Sequence, residues 1–526
     1  MLYILHLGQG EDWTDQEKLD HANCQFALIE AISFDEPSFT LAGEYQNINS
    51  KTIETGAKIF LSKSHPEHNY IARGTVSSQQ GQRVLIQVQG EVSEESLAVL
   101  RNEQFVRVDV EYSNHQLKVQ LWALKELTSM LLLPIPELII NGGLETAYIE
   151  KGNRHAENLT QGVPIKALRA NYDLNESQRK ALHTTLCMRI SFVQGPPGTG
   201  KTQTSLAISE VLGENDLQGL VAAPSNVAAD NLLRRLLKGT NQIIRLGCDI
   251  NNKIAPELVD HSIEALVKTQ VSTGKKKSAE HQAARRVLVQ TSKILVFTLS
   301  NCFEAIRNAD HRVGYCLVDE AGQATEPETV LAVGALDREG RLVLVGDHQQ
   351  LPPTVFTHSA AENGLGKSLF ERLQEKEGFA AVLLDCQYRM LPNIVYFANK
   401  TFYENRIETF HQLRLAKPAD GFDWDTWYPG ITFVHVDGRE AAQGLSFENE
   451  DEVICVERII RKFMYAGVLS KNIGVITMYD AQKNGLKQHL PAETCTFYRI
   501  FIKRSCKNVC ELVFKGLWLV FTRAMI

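Results

Sequence analysis

The nine residues Gln194-Gly195-Pro196-Pro197-Gly198-Thr199-Gly200-Lys201-Thr202 contain the spacing G-x-x-x-x-G-K-[ST], directly after the apolar run Ile190-Ser191-Phe192-Val193. Glycines at these positions let backbone N–H groups turn inward around phosphate oxygens; Lys201 reaches the outer phosphates and the Thr202 hydroxyl ligates Mg²⁺. A second apolar run, Tyr315-Cys316-Leu317-Val318, ends in the adjacent carboxylates Asp319 and Glu320. There Asp319 would hold the same cation, and Glu320 would polarise a water for attack on a γ-phosphate. That pair points to hydrolysis rather than transfer to a substrate hydroxyl. A third run, Leu344-Val345-Gly346-Asp347-His348-Gln349-Gln350, brings Gln350 to a strand tip from which it can contact a γ-phosphate.

Each of these groups ends an apolar run, so the elements that position them are strands of one sheet. Ile190 to Gln194, Gly219 to Ala223, Ile294 to Thr298, Tyr315 to Val318, Arg341 to Val345 and Ala381 to Leu384 read as buried strands. Alternation of such runs with helical stretches predicts a parallel sheet covered on both faces. The helix over Leu206 to Val211 presents its positive end to the phosphate loop. A long polar stretch, about 239–292, contains Lys275-Lys276-Lys277 and Arg285-Arg286 and reads as a helical insertion. Such a basic run is a solvated face or a nucleic-acid contact. Strands at Thr432 to Val436 and Gly474 to Thr477 indicate a second α/β domain.

Upstream, residues 11–32 carry Leu19, Phe26 and Ile29 among charges, the pattern of an amphipathic helix. From Ser38 the period changes to two. Short strands at Lys58 to Leu61, Tyr70 to Val76 and Val84 to Gln89, and a hairpin joining Val106 to Tyr112 with Leu117 to Leu121, predict a small antiparallel β-barrel. The expected organisation is therefore a helical segment over 1–37, a barrel over 38–125, a connecting stalk over 126–170, one α/β domain over 171–375 and another over 376–526.

The 526 residues carry a net charge of −7, so no global basic field captures nucleic acid and any such binding needs a local groove. No apolar run is long enough for a bilayer, and Met1 to Leu5 lacks the basic start of an export signal. The ten cysteines are mostly scattered singly, which predicts a reducing compartment and a cytoplasmic, also nuclear, location. Residues 494–526 differ: six basic residues against one acidic make them +5 and leave −12 for the rest.

Gly195 to Thr202, Asp319-Glu320-Ala321-Gly322-Gln323-Ala324-Thr325-Glu326-Pro327-Glu328, Gly346 to Pro353 and Gln387-Tyr388-Arg389-Met390 occur in the order and approximate spacing of superfamily 1 helicases. From about Leu174 to Gln482 the chain resembles the branch containing the nonsense-mediated mRNA decay helicase (regulator of nonsense transcripts), senataxin and the immunoglobulin mu-binding helicase. That resemblance implies two RecA-like parallel-sheet domains, with the barrel matching the branch's small insertion. It also implies ATP and Mg²⁺ as cofactors and 5′-to-3′ movement on single-stranded RNA or DNA. Leu174-Asn175-Glu176-Ser177-Gln178 resembles the adenine-recognition motif, with Asn175 and Gln178 on the base side. Pro224, Ser225 and Asn226, and with them Thr298, resemble positions that touch the nucleic-acid backbone. Ser225 reads equally as a plain helix cap. Gln350 takes the part of γ-phosphate sensor and Arg389 that of an arginine finger from the second domain.

The resemblance departs from the family at the end. Met478 stands where proline is usual, and beyond Leu490 the motif linking nucleic acid to ATP has no counterpart; only Phe521-Thr522-Arg523-Ala524 echoes the final motif. An altered reading frame, a retained intron or a divergent end would explain this, and would leave the second domain incomplete. Cys506 and Cys510 lack a second Cys/His pair for a metal, and before residue 60 only His6, His21 and Cys24 are present, so the family's zinc module is not expected. Three functions follow: an ATP-driven helicase or translocase in RNA metabolism such as mRNA decay, an ATP-responsive nucleic-acid clamp that does not unwind, or a nucleotide switch acting on protein. Monomeric action, partners in an RNA-processing complex and no membrane association complete the expectation.

Overall fold

The computed structural model describes the elements between residues 25 and 141 named below, residues 93, 95 and 98, and the strands 496–499 and 520–522. Between them it describes 173–490 apart from 215–216, 240–241, 248–253, 272–278, 303–311, 356–357, 376–379, 415–429, 444–445 and 478. The chain divides into two compact units, Met1–Asn114 with Ala419–Asp423 and Phe433–Ile526, and His115–Pro418 with Trp424–Thr432. Among the described residues no helix is long and apolar enough to cross a membrane.

In the first unit β1 (Gln25–Asp35), β2 (Ser38–Gln46), β3 (Lys58–Ser62), β4 (Tyr70–Gln80), β5 (Arg83–Gln89) and β6 (Phe105–Val110) pair in the closed order β1-β2-β5-β4-β3-β6. The helix expected over 11–32 gives way to strand from Gln25, where Phe26 and Phe34 lie opposite Tyr45 and Phe39 of β2 and have the aromatic character that suits strand pairing. Residues 11–24 lie outside the described residues.

The second unit opens with α1 (His115–Ser129) and α2 (Pro134–Asn141). The hairpin expected across 113–116 is thus corrected: its second arm is helical. Leu117, Val119 and Leu121 alternate over too short a window to exclude a helix, and the stripe that packs is Val119, Trp122, Ala123 and Leu127, at helical spacing.

Next come α3 (Glu176–Cys187), β7 (Ile190–Gln194), α4 (Lys201–Glu214), β8 (Gly219–Ala223), α5 (Asn226–Leu236) and β9 (Ile243–Arg245). They are followed by α6 (Ile263–Gln270), α7 (Ala279–Thr291), β10 (Ile294–Thr298), β11 (Val313–Val318), α8 (Glu326–Val333) and β12 (Leu336–Gly346). The unit continues with α9 (Leu369–Gln374), β13 (Val382–Leu383), β14 (Cys386–Gln387), α10 (Pro392–Phe402) and β15 (Glu408–Thr409). Seven strands form one sheet in the order β13-β7-β12-β11-β8-β10-β9, with every pairing parallel.

Both faces are covered, which is why the strands read as unbroken apolar runs. Along β11, Cys316 and Val318 enter the core under α1, α2 and α6 to α9, whereas Tyr315 and Leu317 enter the core under α3, α4 and α5. This is an α/β, RecA-like arrangement. Within 239–292 the sequence reading missed β9, three residues too short to show a period, although the helices α6 and α7 are present.

Beyond residue 433 the first unit holds the antiparallel pair β16 (Ala441–Gln443) and β17 (Ser446–Glu448), then α11 (Glu450–Tyr465), β18 (Ile473–Thr477) and α12 (Asp480–His489). β18 pairs in parallel with β19 (Thr496–Arg499) and antiparallel with β20 (Val520–Thr522). The strand expected at Thr432 to Val436 is corrected to irregular chain with Phe433 exposed, because no neighbouring strand takes up its backbone groups among the described residues. Cys506, Cys510, Arg523 and Met478 lie outside the described residues.

Candidate active site

Apart from Asn175 and Gln178, which open α3, the singled-out residues of the second unit follow the carboxyl ends of its strands. The phosphate loop follows β7, Asp319 and Glu320 follow β11, and Asp347 to Gln350 follow β12; β12 lies between β7 and β11, so three sequence-distant segments meet. Parallel topology places all these ends on one edge of the sheet, where ligands of such sheets bind.

The phosphate loop needs its glycines. Gly198 and Gly200 have φ of +82° and +86°, and a Cβ on Gly195 would stand 2.0 Å from Lys201 Cγ. Gly195 N–H donates to the Gly346 carbonyl (2.9 Å), joining the loop to β12. Lys201 Nζ donates to the Gly195 carbonyl (2.9 Å) and lies 3.8 Å from a Glu320 carboxylate oxygen. The ammonium is therefore held at the loop by one carbonyl and one loosely placed charge, partners an anionic phosphate can displace. Thr199 Oγ1 donates to the Pro196 carbonyl (2.7 Å), closing the turn through Pro197.

Asn175 and Gln178 form a reciprocal capping box at the start of α3. Gln178 N–H donates to Asn175 Oδ1 (2.9 Å), and Asn175 N–H donates to Gln178 Oε1 (3.0 Å). Gln178 Nε2 also donates to the Thr199 carbonyl (3.1 Å), so this glutamine braces the phosphate loop. Asn175 Nδ2 donates to the Tyr388 hydroxyl (2.8 Å), while Tyr388 N–H donates to the Gly198 carbonyl (2.8 Å). Gln387, fully buried, accepts the N–H groups of Arg389 (2.9 Å) and Met390 (2.8 Å) on Oε1, which folds the turn that carries Arg389. A Cβ on Gly198 would meet Arg389 Cβ at 2.7 Å. Arg389 thus sits against the phosphate loop within the same compact unit.

Asp319 is buried, and its Oδ1 has no hydrogen-bond partner. Burial first, and then the neighbouring Glu320 charge, push its carboxyl up to about 7. An orphaned buried carboxylate oxygen beside a lysine is the donor a divalent cation satisfies, and Thr202, next to Lys201, adds a hydroxyl. Among the described residues no group of three or more His, Cys, Asp or Glu gathers to hold a metal. Mg²⁺ carried on phosphates needs no such cage, so the residues present fit it. Glu320 has left-handed backbone, φ 53° and ψ 38°, a strained conformation for a non-glycine residue that recurs at working sites.

Two further residues gave no signal of their own in the sequence. Asp347, almost fully buried, accepts from Gln350 Nε2 (2.7 Å) and from the hydroxyl of Tyr403 (2.7 Å), the residue that follows α10. Gln350 Nε2 also lies 3.4 Å from the Gly195 carbonyl, which points it at the phosphate loop.

Pro224, Ser225, Asn226 and Thr298 share the same edge on the neighbouring strands β8 and β10, whose last pair is Thr298 and Ala223. Ser225 caps α5, its Oγ accepting from Ala228 N–H (3.2 Å). Arg245, missed in the sequence, is fully buried at the end of β9; it donates to Asn226 Oδ1 (2.9 Å), Asp230 Oδ1 (3.2 Å) and the Leu246 carbonyl (2.7 Å). A guanidinium only donates, so it fixes the Asn226 oxygen inward and leaves the amide N–H groups as donors for an anionic backbone. Lysine keeps the charge but cannot fork to all three acceptors. Arg245→Lys is therefore expected to cost about 2 kcal/mol in denaturant unfolding; an unchanged midpoint would show that the fork does not support α5.

Family models described as an AAA domain match residues 173–286 with 268–358 and, separately, residues 365–503. The regulator of nonsense transcripts 1 homologue of Neurospora crassa is 33% identical over 336 residues, 59% of this chain and 30% of that protein. The ATP-dependent helicase NAM7 of Saccharomyces cerevisiae is 33% identical over 359 residues, 64% of this chain and 36% of that protein. The chain spans about a third of the length of the curated relatives it matches. A solved complex of the arterivirus nonstructural protein 10 helicase with DNA aligns with 45% of this chain and 44% of its own at a TM-score of 0.26 and 15% identity, too low to bear on the reading.

Proposed function

This chain belongs to the superfamily 1 helicases, in the branch of the regulators of nonsense transcripts, and on that premise we propose that it hydrolyses ATP to move along single-stranded nucleic acid, RNA or DNA. The observation that carries this reading is the shared carboxyl edge of the sheet. Phosphate loop, Asp319-Glu320, Gln350 and Arg389 gather at β7, β12 and β11, while Pro224 to Asn226 and Thr298 continue the same edge at β8 and β10. A nucleotide at one end of that edge and a phosphodiester backbone at the other would be joined by one rigid sheet.

In this reading the loop N–H groups and Lys201 bind the phosphates, and Gln178 keeps the loop in shape beside the adenine. Thr202 and Asp319 would hold Mg²⁺, which when bound neutralises charge on the phosphates. Glu320 orients the attacking water and takes up its proton, Gln350 touches the γ-phosphate, and Arg389 supports the charge that develops on the transferring phosphoryl group as ADP leaves. The backbone-contact residues grip phosphates rather than bases, which gives strand binding with little sequence preference. We take the six paired N-terminal strands as the branch's small barrel, α6 and α7 as the insertion, and the residues after 433 as part of a second RecA-like domain. A role in mRNA decay, monomeric action among partners of an RNA-processing complex, and work in the cytoplasm, also in the nucleus, go with that placement.

The test is ATP turnover by the purified chain with and without single-stranded RNA and DNA of matched length. Stimulation of about tenfold or more, absent in Lys201→Ala, is the expected result. ATP-dependent strand binding without turnover would replace the motor with a clamp. Turnover and ATP affinity that both ignore nucleic acid would remove the proposal.

A further inference from the structure

Asp347 directly follows β12, and four donors converge on its buried carboxylate. Its Oδ1 accepts from Gln194 Nε2 (3.2 Å) and from Gln349 N–H (3.2 Å), and its Oδ2 from Gln350 Nε2 (2.7 Å) and the Tyr403 hydroxyl (2.7 Å). A buried, fully engaged carboxylate is rigid, and its hydrogen bonds are of the strong charge-assisted kind. Tyr403 is itself 3% exposed and follows α10, the helix that begins three residues after Arg389. Burial and the Asp347 carboxylate hold the phenol well above its ordinary range, so it remains a donor. On the other side of the tyrosine, Asn399 of α10 pins the chain by accepting from Ile407 N–H (3.0 Å) and donating to its carbonyl (2.8 Å).

One atom, Asp347 Oδ2, therefore joins the side chain of Gln350 to the helix behind Arg389. We infer that Tyr403 is a positioning residue for ATP hydrolysis, a strut that through Asp347 aims Gln350 at the γ-phosphate and ties that aim to the position of α10. This deepens the proposed function and rests on its placing ATP at the phosphate loop. The consequence is mechanical: displacement of α10 frees Asp347 Oδ2 from its tyrosine and lets Gln350 swing, so the γ-phosphate contact and the arginine segment engage together. A tyrosine that only filled space would not need its hydroxyl, since Phe402 and the ring itself supply the packing.

The full chain is measured as wild type, Tyr403→Phe, Gln350→Ala and the double variant. Readouts are kcat and KM for ATP, and affinity for ADP against ADP with aluminium fluoride, a mimic of the transferring phosphoryl group. Tyr403→Phe is expected to lower kcat about tenfold, leave KM and ADP affinity within about twofold, and add no further loss to Gln350→Ala. The ADP–aluminium fluoride preference should fall by a similar factor. Wild-type kcat in Tyr403→Phe, losses that multiply in the double variant, or equal weakening of ADP and its fluoride complex each overturn the strut. If wild-type turnover ignores nucleic acid, the motor reading fails while the variant comparison on unstimulated turnover still decides the strut. If nothing turns over, the fluoride-to-ADP affinity ratio decides it.

Discussion

Asp319→Asn is expected to lower ATP turnover about a thousandfold, the scale of losing several kcal/mol of cation-borne charge stabilisation. The same substitution is expected to make the nucleotide-free protein more stable. Asp319 is buried with one oxygen unpartnered, and an ionised carboxylate there is costly. The folded protein binds its proton more tightly than the unfolded chain does, with the carboxyl moved from 3.8 up to about 7. Protonation thus contributes stability fully below pH about 4, and the contribution is lost as pH rises through about 7. Asparagine keeps the shape and never ionises. Without metal or nucleotide, the variant should therefore gain on wild type with rising pH, by about 2 kcal/mol at pH 8.

Melting at pH 5 and pH 8, with and without Mg²⁺ and ADP, checks both sides. The gap should open at pH 8 and close when Mg²⁺ and ADP are added, because the wild-type carboxylate then has a partner. A variant less stable than wild type at both pH values would mean that Asp319 is held by contacts of its own. Function here costs stability, and the cost is localised at one carboxylate.

The sheet was legible because its chemistry requires strands that are apolar throughout. Ile190 to Gln194, Gly219 to Ala223 and Ile294 to Thr298 stand in the structure with the bounds read from the sequence. A strand buried on both faces leaves a block pattern that needs no period. The phosphate loop and the Asp319-Glu320 pair were legible because each binds through consecutive residues. What escaped was whatever acts across the sequence. Arg245 and Asn226 meet over 19 positions, and Tyr403 and Asp347 over 56. Neither partner is unusual in its own neighbourhood; only the parallel order of the strands brings them together. The α1 segment failed for the opposite reason, since five alternating residues satisfy both periods and tertiary packing decides between them.

Arg389→Ala is expected to lower turnover by about a thousandfold while ATP affinity changes about threefold or less, the split of a group that acts mainly on the transition state. Arg389 is exposed, and among the described residues it forms no ion pair, whereas its backbone is fixed by Gln387 and packs against Gly198. A surface arginine kept for stability would carry a carboxylate partner; this one has a rigid root and an uncommitted guanidinium beside a phosphate loop. Removing the side chain leaves the Gln387 turn and the Tyr388 contacts in place, so folding should be undisturbed. Arg389→Lys sharpens the test. A point charge retains part of the attraction to phosphate but not the planar fork, so turnover should recover only partly, by about tenfold over alanine. Full recovery would assign Arg389 a general electrostatic role, and unchanged turnover in the alanine variant would remove it from the site. If KM rises instead while kcat holds, the guanidinium binds ATP in its ground state, and the γ-phosphate contact that favours hydrolysis falls to Gln350 alone.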